Sequence, residues 1–97
     1  MYLKVHRMPG SGDVVAVCDQ ELINTTLKKG ELEVCITSAF YGNCPVTEEE
    51  VRETLKNACN INLMGRRAVD IAVELGLIEP GNCIMIGKVP HAQIVRI

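Results

Sequence analysis

The stretch VTEEEVRETLKNA, residues 46–58, carries the clearest local signal for the fold of this chain. Thr47 and Glu50 have the three-residue spacing of a capping box at a helix start. The valines that flank this box are placed as a hydrophobic staple. Val51 and Leu55 then lie four residues apart, as on the apolar stripe of a helix. The sequence therefore predicts an amphipathic helix that begins after Thr47.

A second helix is predicted downstream of this one. It is expected to follow Asn60–Asn62 and to run to Leu75, with apolar residues at helical spacing along one face. Gly76 is placed as a left-handed stop, and Pro80 prevents the helix from continuing. A third, shorter helix is expected between Asp19, as its cap, and Leu27.

The remaining segments show the alternation or the continuous apolar character of β-strands, with Gly- and Pro-rich turns between them. The predicted strands are Tyr2–Arg7, Val14–Cys18, Glu31–Thr37, Asn82–Ile86 and His91–Ile97. Strands and helices that interleave in this way predict an α+β fold. We expect one domain over residues 1–97, with two main helices and one short helix packed on a mainly antiparallel sheet of about five strands.

The composition restricts the function classes. The chain has 97 residues, of which 47% are hydrophobic and 23% charged, and these fractions argue against intrinsic disorder. A net charge of −2 argues against a general nucleic-acid coat, because such proteins rely on a basic excess. No apolar run approaches the roughly 20 residues of a membrane span. We expect a cytoplasmic protein without a membrane partner.

Five cysteines are present, at positions 18, 35, 44, 59 and 83. Most stand in apolar runs, and the sequence shows no export signal, so buried free thiols are the preferred interpretation. A zinc site is the alternative, but its cysteines usually come in closely spaced pairs, which are missing here. The sequence predicts neither a metal nor a cofactor.

The first candidate site is the segment from Asn62 to Arg67. Arg66 and Arg67 fall at the start of the second helix, although basic residues favour helix ends. A bound anion would remove this conflict, because backbone N–H groups and guanidinium groups would converge on it. Gly65 would allow the anion to approach the backbone closely. The alternative is that the two arginines pair with carboxylates of the protein, such as Asp70 or Glu74.

The second candidate site is the start of the last predicted strand. Pro90 fixes the entry to this strand, and His91 and Gln93 project from one face of it. A histidine here could carry a proton or bind an anion. The alternative is that both residues are ordinary polar positions of the strand.

Phe40 and the tyrosine after it form either a recognition loop or, preferably, a plug over one end of the core.

Three stretches together resemble a known family. They are YLKVH at residues 2–6, NLMGRRAV at 62–69 with GLI at 76–78, and GKVPHAQIV at 87–95. This combination resembles the short archaeal proteins grouped as domain of unknown function 424, over essentially the whole chain. The resemblance implies an archaeal cytoplasmic source and a compact α+β domain, and it implies no catalytic role for any residue.

The leading hypothesis is a non-enzymatic module that binds an anion or RNA. It assigns binding to the residues Asn62, Gly65, Arg66, Arg67, His91 and Gln93, with RNA phosphate in translation or RNA processing as the preferred ligand and a small anion as the other. An alternative is a small enzyme for a phosphorylated or carboxylated metabolite, in which His91 acts as general acid or base and the arginines clamp an oxyanion. A third hypothesis is a subunit of a homo-oligomer.

Overall fold

The computed structural model describes residues 1–10 and 12–96, and within them the chain forms seven β-strands and three α-helices. The strands are β1 (Tyr2–His6), β2 (Val14–Cys18), β3 (Thr26–Lys29), β4 (Leu32–Cys35), β5 (Asn60–Met64), β6 (Ile84–Ile86) and β7 (Val89–Val95). The helices are α1 (Ser38–Tyr41), α2 (Glu48–Lys56) and α3 (Arg66–Glu74).

Five of the strands form one sheet in the order β1-β2-β5-β7-β6, and β3 and β4 form a separate hairpin. Every neighbouring pair in the large sheet is antiparallel except β2 and β5, which are parallel. The predicted α+β class and the mainly antiparallel sheet of five strands are therefore confirmed. The strand predicted at residues 31–37 exists as β4, but it belongs to the hairpin.

The alternation of side chains in β5 defines the two faces of the large sheet. Ile61 and Leu63 point to one face, which packs against α2 and α3 and forms the larger apolar core. We call this the helix face. Asn60, Asn62 and Met64 point to the opposite face, which the β3–β4 hairpin and α1 cover in part. We call this the hairpin face.

The local signals at the start of α2 and at the end of α3 are confirmed. Thr47 and Glu50 form the capping box of α2, and Val51 and Leu55 are fully buried. At the end of α3, Gly76 adopts a positive φ of 75° and its N–H bonds to the carbonyl of Val73. The next N–H bonds to the carbonyl of the residue before Val73, which completes a Schellman motif.

The predicted short helix from Asp19 to Leu27 is wrong. Only Gln20–Leu22 forms a single 3₁₀ turn, and β3 follows it. Residues of β3 prefer to pair with β4, because Gly30 supplies a left-handed turn between the two strands, with a φ of 61°. Asp19 makes no side-chain bond to the 3₁₀ turn.

The predicted start of the second helix is also wrong. Residues 60–64 form β5, which lies between β2 and β7 in the middle of the sheet. Gly65 then turns the chain with a φ of 112°, and α3 begins at Arg66. The backbone of residues 60–64 satisfies its hydrogen bonds on both sides through the two neighbouring strands, and this long-range pairing overrides the local helical pattern.

The prediction of buried cysteines holds for Cys18 but is wrong for Cys35, Cys44 and Cys59, which are exposed. Burial raises the pKa of the Cys18 thiol to about 12. Among the described residues, no group of three or more His, Cys, Asp or Glu side chains is arranged to hold a metal ion. None of the described helices is long and apolar enough to cross a membrane.

Candidate functional site

The carboxylate of Asp19 binds the backbone N–H groups in the first turn of α3. One oxygen of Asp19 accepts the backbone N–H of Arg67 at 3.0 Å, and the other accepts that of Ala68 at 2.9 Å. Asp19 is only 2% exposed, and desolvation raises the pKa of its carboxyl group despite these two bonds. The chain itself thus supplies an anion at the helix start where the sequence suggested a bound one.

Gly65 is required by this close approach. A Cβ atom at Gly65 would lie 2.4 Å from Cγ of Asp19 and 2.6 Å from one of its carboxylate oxygens. The φ of 112° at Gly65 is also a conformation that other residues rarely adopt. The glycine therefore allows an approach to the backbone, as the sequence suggested, but the group that approaches belongs to Asp19.

Arg66 and Arg67 occupy the first two positions of α3 and are exposed. Among the described residues, neither side chain forms an ion pair. The carboxylate of Glu74, one of the partners suggested by the sequence, instead binds Arg52 at 2.6 Å. Arg66 lines a cleft of about 160 Å³ together with Lys88, Gly65 and Asp19.

A larger cleft of about 610 Å³ lies on the hairpin face, where β3, β4 and α1 leave part of the large sheet uncovered. Its walls are mostly aliphatic, and the apolar side chains that line it are Leu32, Val34, Phe40, Met64, Ile84 and Ile86. The other lining residues are Lys29, Cys35, Tyr41, Asn62 and His91. This set includes two of the residues predicted from the sequence, Asn62 and His91.

The ring of His91 is held by one internal hydrogen bond. Its Nδ1 lies 2.8 Å from the carbonyl oxygen of Leu63. Because a carbonyl oxygen only accepts, Nδ1 must carry the hydrogen of this bond. Nε2 is then the nitrogen left for a ligand: it accepts when His91 is neutral and donates when His91 is charged.

A row of hydrogen-bonded side chains crosses the hairpin face beside His91. The hydroxyl of Tyr41 donates to Oδ1 of Asn62 at 2.6 Å, and Nδ2 of Asn62 donates to Oε1 of Gln93 at 2.9 Å. Nε2 of Gln93 then donates to Oδ1 of Asn60 at 2.7 Å. We call these four residues the amide row. It connects the cleft with the open part of the sheet.

The two neighbouring aromatic residues of α1 have different environments. Tyr41 is 4% exposed, and its burial raises the pKa of its hydroxyl group above the usual range. Phe40 is 37% exposed, lines the cleft, and stacks on the ring of His6 with 4.8 Å between ring centroids. Tyr41 therefore acts as the predicted plug, whereas Phe40 is part of the cleft wall.

The structure brings together only part of the predicted site. Asn62 and Gln93 are bonded to each other, and His91 shares their face of the sheet. Gly65 and Arg66 line the smaller cleft instead, and Arg67 is the second residue of α3, which packs on the helix face. The enzyme hypothesis required His91 and the arginines to face one cleft, but Arg66 lines the smaller cleft, His91 lines the larger one, and Arg67 lines neither.

Sequence reasoning missed Tyr41, Asn60 and Lys29 as neighbours of the site. Asn60 and Asn62 have the two-residue spacing of one strand face, and this signal was available in the sequence. Lys29 reaches the cleft only because residues 26–35 form a hairpin that folds over the sheet. No local pattern around Tyr41 reveals that its hydroxyl bonds to a strand 21 residues away.

Comparison with known proteins agrees with this architecture. A crystal structure of an uncharacterized conserved protein from Methanopyrus kandleri is similar to it, with a TM-score of 0.80 and 26% sequence identity over 99% of this chain and 92% of that chain. None of the curated proteins matches the chain. The family described as "Protein of unknown function (DUF424)" matches residues 6–97. The chain therefore belongs to the DUF424 family, as its three motifs predicted.

Proposed function

We propose that the protein is a non-enzymatic binding module that holds a small anion with an apolar body in the 610 Å³ cleft. The observation that carries this proposal is the composition of the cleft lining. Its ionisable residues are Lys29, Cys35, Tyr41 and His91, and it contains no Asp or Glu, although the whole chain has a net charge of −2. The charged groups of the lining therefore favour a negative ligand.

The size and walls of the cleft support a small molecule. Ligand pockets commonly measure about 300–1,000 Å³ and combine apolar walls with a few placed polar groups. Here aliphatic side chains would contact the body of the ligand. The groups that would attract its anionic part are the ammonium group of Lys29 and, in the charged form of the ring, Nε2–H of His91.

The same contacts argue for binding and against acid–base catalysis. Acid–base work needs a reactive partner within hydrogen-bond reach. The described partner of the His91 ring is the carbonyl of Leu63, which orients the ring but is neither a nucleophile nor an acid. The Tyr41 hydroxyl donates to Asn62, and its raised pKa keeps it protonated near neutral pH.

The cleft supports anion binding better than the start of α3 does. Asp19 already accepts the N–H groups of Arg67 and Ala68, so an external anion would meet a carboxylate there. The anion site suggested by the sequence therefore moves in this proposal from Arg66 and Arg67 to His91 and Lys29. A cytoplasmic location and an archaeal source are parts of the same proposal.

Two fluorescent probes test the proposal directly. 8-Anilinonaphthalene-1-sulfonate is an apolar anion, and N-phenyl-1-naphthylamine is the same body without the sulfonate. We expect the native protein to bind the sulfonate more tightly. We expect the double variant Lys29→Gln with His91→Gln to weaken sulfonate binding by about tenfold and to leave binding of the neutral probe unchanged, because only charge and hydrogen bonding are removed.

The variant Lys56→Gln is the matched control, because it removes a positive charge from α2, which packs on the helix face. It should leave both affinities unchanged. Equal affinity of the native protein for the two probes would refute the proposal. So would a double variant that binds the sulfonate as tightly as the native protein does.

A second candidate function, RNA binding, is favoured by the arginines at the start of α3. Arg66 and Arg67 are exposed and form no ion pair among the described residues, and Lys88 lines the same small cleft as Arg66. These side chains could contact the phosphates of RNA in a translation or RNA-processing assembly. The acidic net charge restricts such an interface to a local contact.

Fluorescence anisotropy with short oligouridylate and oligoadenylate at several salt concentrations tests the RNA candidate. The variant Arg66→Ala with Arg67→Ala should weaken binding of both RNAs and lower the salt slope by about one to two, because two phosphate contacts are lost. Lys56→Ala is the control on α2. RNA binding that the arginine variant leaves intact would exclude this surface.

A further inference from the structure

The amide row on the hairpin face has a direction. Each bond runs from a donor on one residue to an oxygen on the next, from Tyr41 through Asn62 and Gln93 to Asn60. An amide row could in principle run either way, since each amide group has both an oxygen and an NH₂ group. Its direction decides which atoms are left over for a ligand.

The buried hydroxyl of Tyr41 fixes this direction. Tyr41 is 4% exposed, and Oδ1 of Asn62 is the acceptor of its hydrogen among the described residues. A reversed row would place Nδ2 of Asn62 against the hydroxyl and leave the hydroxyl hydrogen without this acceptor. Buried polar hydrogens almost always have a partner. The hydroxyl therefore holds the oxygen of Asn62 towards itself and its NH₂ group towards Gln93.

The row leaves one more donor than acceptor for a ligand, whereas a reversed row would leave one more acceptor than donor. Each of the three amide oxygens accepts one bond within the row and keeps one lone pair. Asn62 and Gln93 each keep one spare N–H, and Asn60 keeps two. Asn60 and Asn62 are half-buried and Gln93 is exposed, so the row is within reach of a ligand.

We infer that Tyr41 is a specificity-determining positioning residue. By fixing the direction of the row, it makes the sheet beside His91 select ligands that present hydrogen-bond acceptors, namely the oxygens of a carboxylate, sulfonate or phosphate, over ligands that present donors. This inference rests on the proposed function, because the row extends from the floor of the same cleft. Tyr41 acts through Asn62 and has no need to touch the ligand.

The direction of the row can be measured without any ligand. In ¹⁵N-labelled native protein, the NH₂ protons of Asn62 should show stronger nuclear Overhauser contacts to the side chain of Gln93 than to the hydroxyl of Tyr41. Strong contacts between the Asn62 NH₂ protons and the Tyr41 hydroxyl would mean a reversed row. That result would overturn the inference.

A double-mutant cycle tests the role of Tyr41 in selection. Tyr41→Phe should weaken the binding of 8-anilinonaphthalene-1-sulfonate by about 3- to 10-fold, the range of one hydrogen bond. It should leave the binding of N-phenyl-1-naphthylamine unchanged. In an Asn62→Leu background, Tyr41→Phe should have no further effect on sulfonate binding, because the amide through which Tyr41 acts on the ligand has been removed. If Tyr41→Phe lowers the affinity for the sulfonate probe equally in both backgrounds, its role is purely structural and the inference is overturned.

The outcomes separate the two proposals. A native protein without preference for the sulfonate would refute the proposed function and, with it, the ligand class assigned to the row. A reversed row, or additive losses in the cycle, would refute the role of Tyr41 while the preference of the cleft for anions persists.

Discussion

Gly65→Ala is expected to lower the free energy of unfolding by about 3–5 kcal/mol. The new Cβ would lie 2.4 Å from Cγ of Asp19 and 2.8 Å from its Cβ, and the backbone at Gly65 has a φ of 112°. The side chain of Asp19 has little space to move, because it is 2% exposed and bonded to the first turn of α3. Steric overlap and backbone strain therefore act together. Urea unfolding of both proteins measures the loss.

Gly76→Ala is the matched control for this prediction. Gly76 also has a positive φ, of 75°, but nothing lies within 4 Å of the position of a Cβ there. Only backbone strain should appear, at a cost of about 1–2 kcal/mol. Equal losses for the two variants would contradict the role that we assign to the contact between Gly65 and Asp19.

Asp19→Ala should have the second largest effect, a loss of about 2–3 kcal/mol near neutral pH. The variant removes the acceptor of two backbone N–H groups, those of Arg67 and Ala68, and Ala68 is fully buried. Asp70→Ala removes an exposed carboxylate from the same helix and should change stability by less than about 0.5 kcal/mol. Similar losses for both variants would argue against the cap.

The loss at Asp19→Ala should depend on pH. Burial raises the pKa of Asp19 in the folded protein above 3.8, its ordinary value. Between these two pKa values, the folded protein then binds more protons than the unfolded chain. The contribution of Asp19 to the free energy of unfolding is therefore largest below about pH 3.8, and it declines as the pH rises through the pKa of the folded protein. Urea unfolding of native protein and Asp19→Ala from about pH 3 to pH 7 measures this difference. A difference that grows with pH would contradict the prediction.

The elements that the sequence predicts well are those determined by neighbouring residues. The start of α2 depends on Thr47 and Glu50, three residues apart, and the end of α3 on Gly76. Asp19 shows the limit of such reasoning. It looks like the cap of the helix predicted next to it, yet it caps α3, where it bonds to residues 48 and 49 positions away along the chain.

The central strand shows a second limit. Asn60 and Asn62 made residues 60–62 look like a connection between helices, because polar residues are rare in a strand covered on both faces. The hairpin face is only partly covered there, and the two amides bond to Gln93 instead of packing in a core. Alternation then identifies Asn62, His91 and Gln93 as neighbours, whereas Tyr41 reaches them only through the tertiary fold.

The position of β5 determines when the sheet can be completed as the protein is made. Its partners come from distant parts of the chain, since β2 spans residues 14–18 and β7 spans residues 89–95. Pairing of such distant segments slows folding, because long loops must close before contacts form. A nascent chain that has reached α3 still has one unpaired edge of β5, next to the apolar Ile61 and Leu63. The period before residues 89–95 emerge from the ribosome is therefore when this protein is most exposed to aggregation.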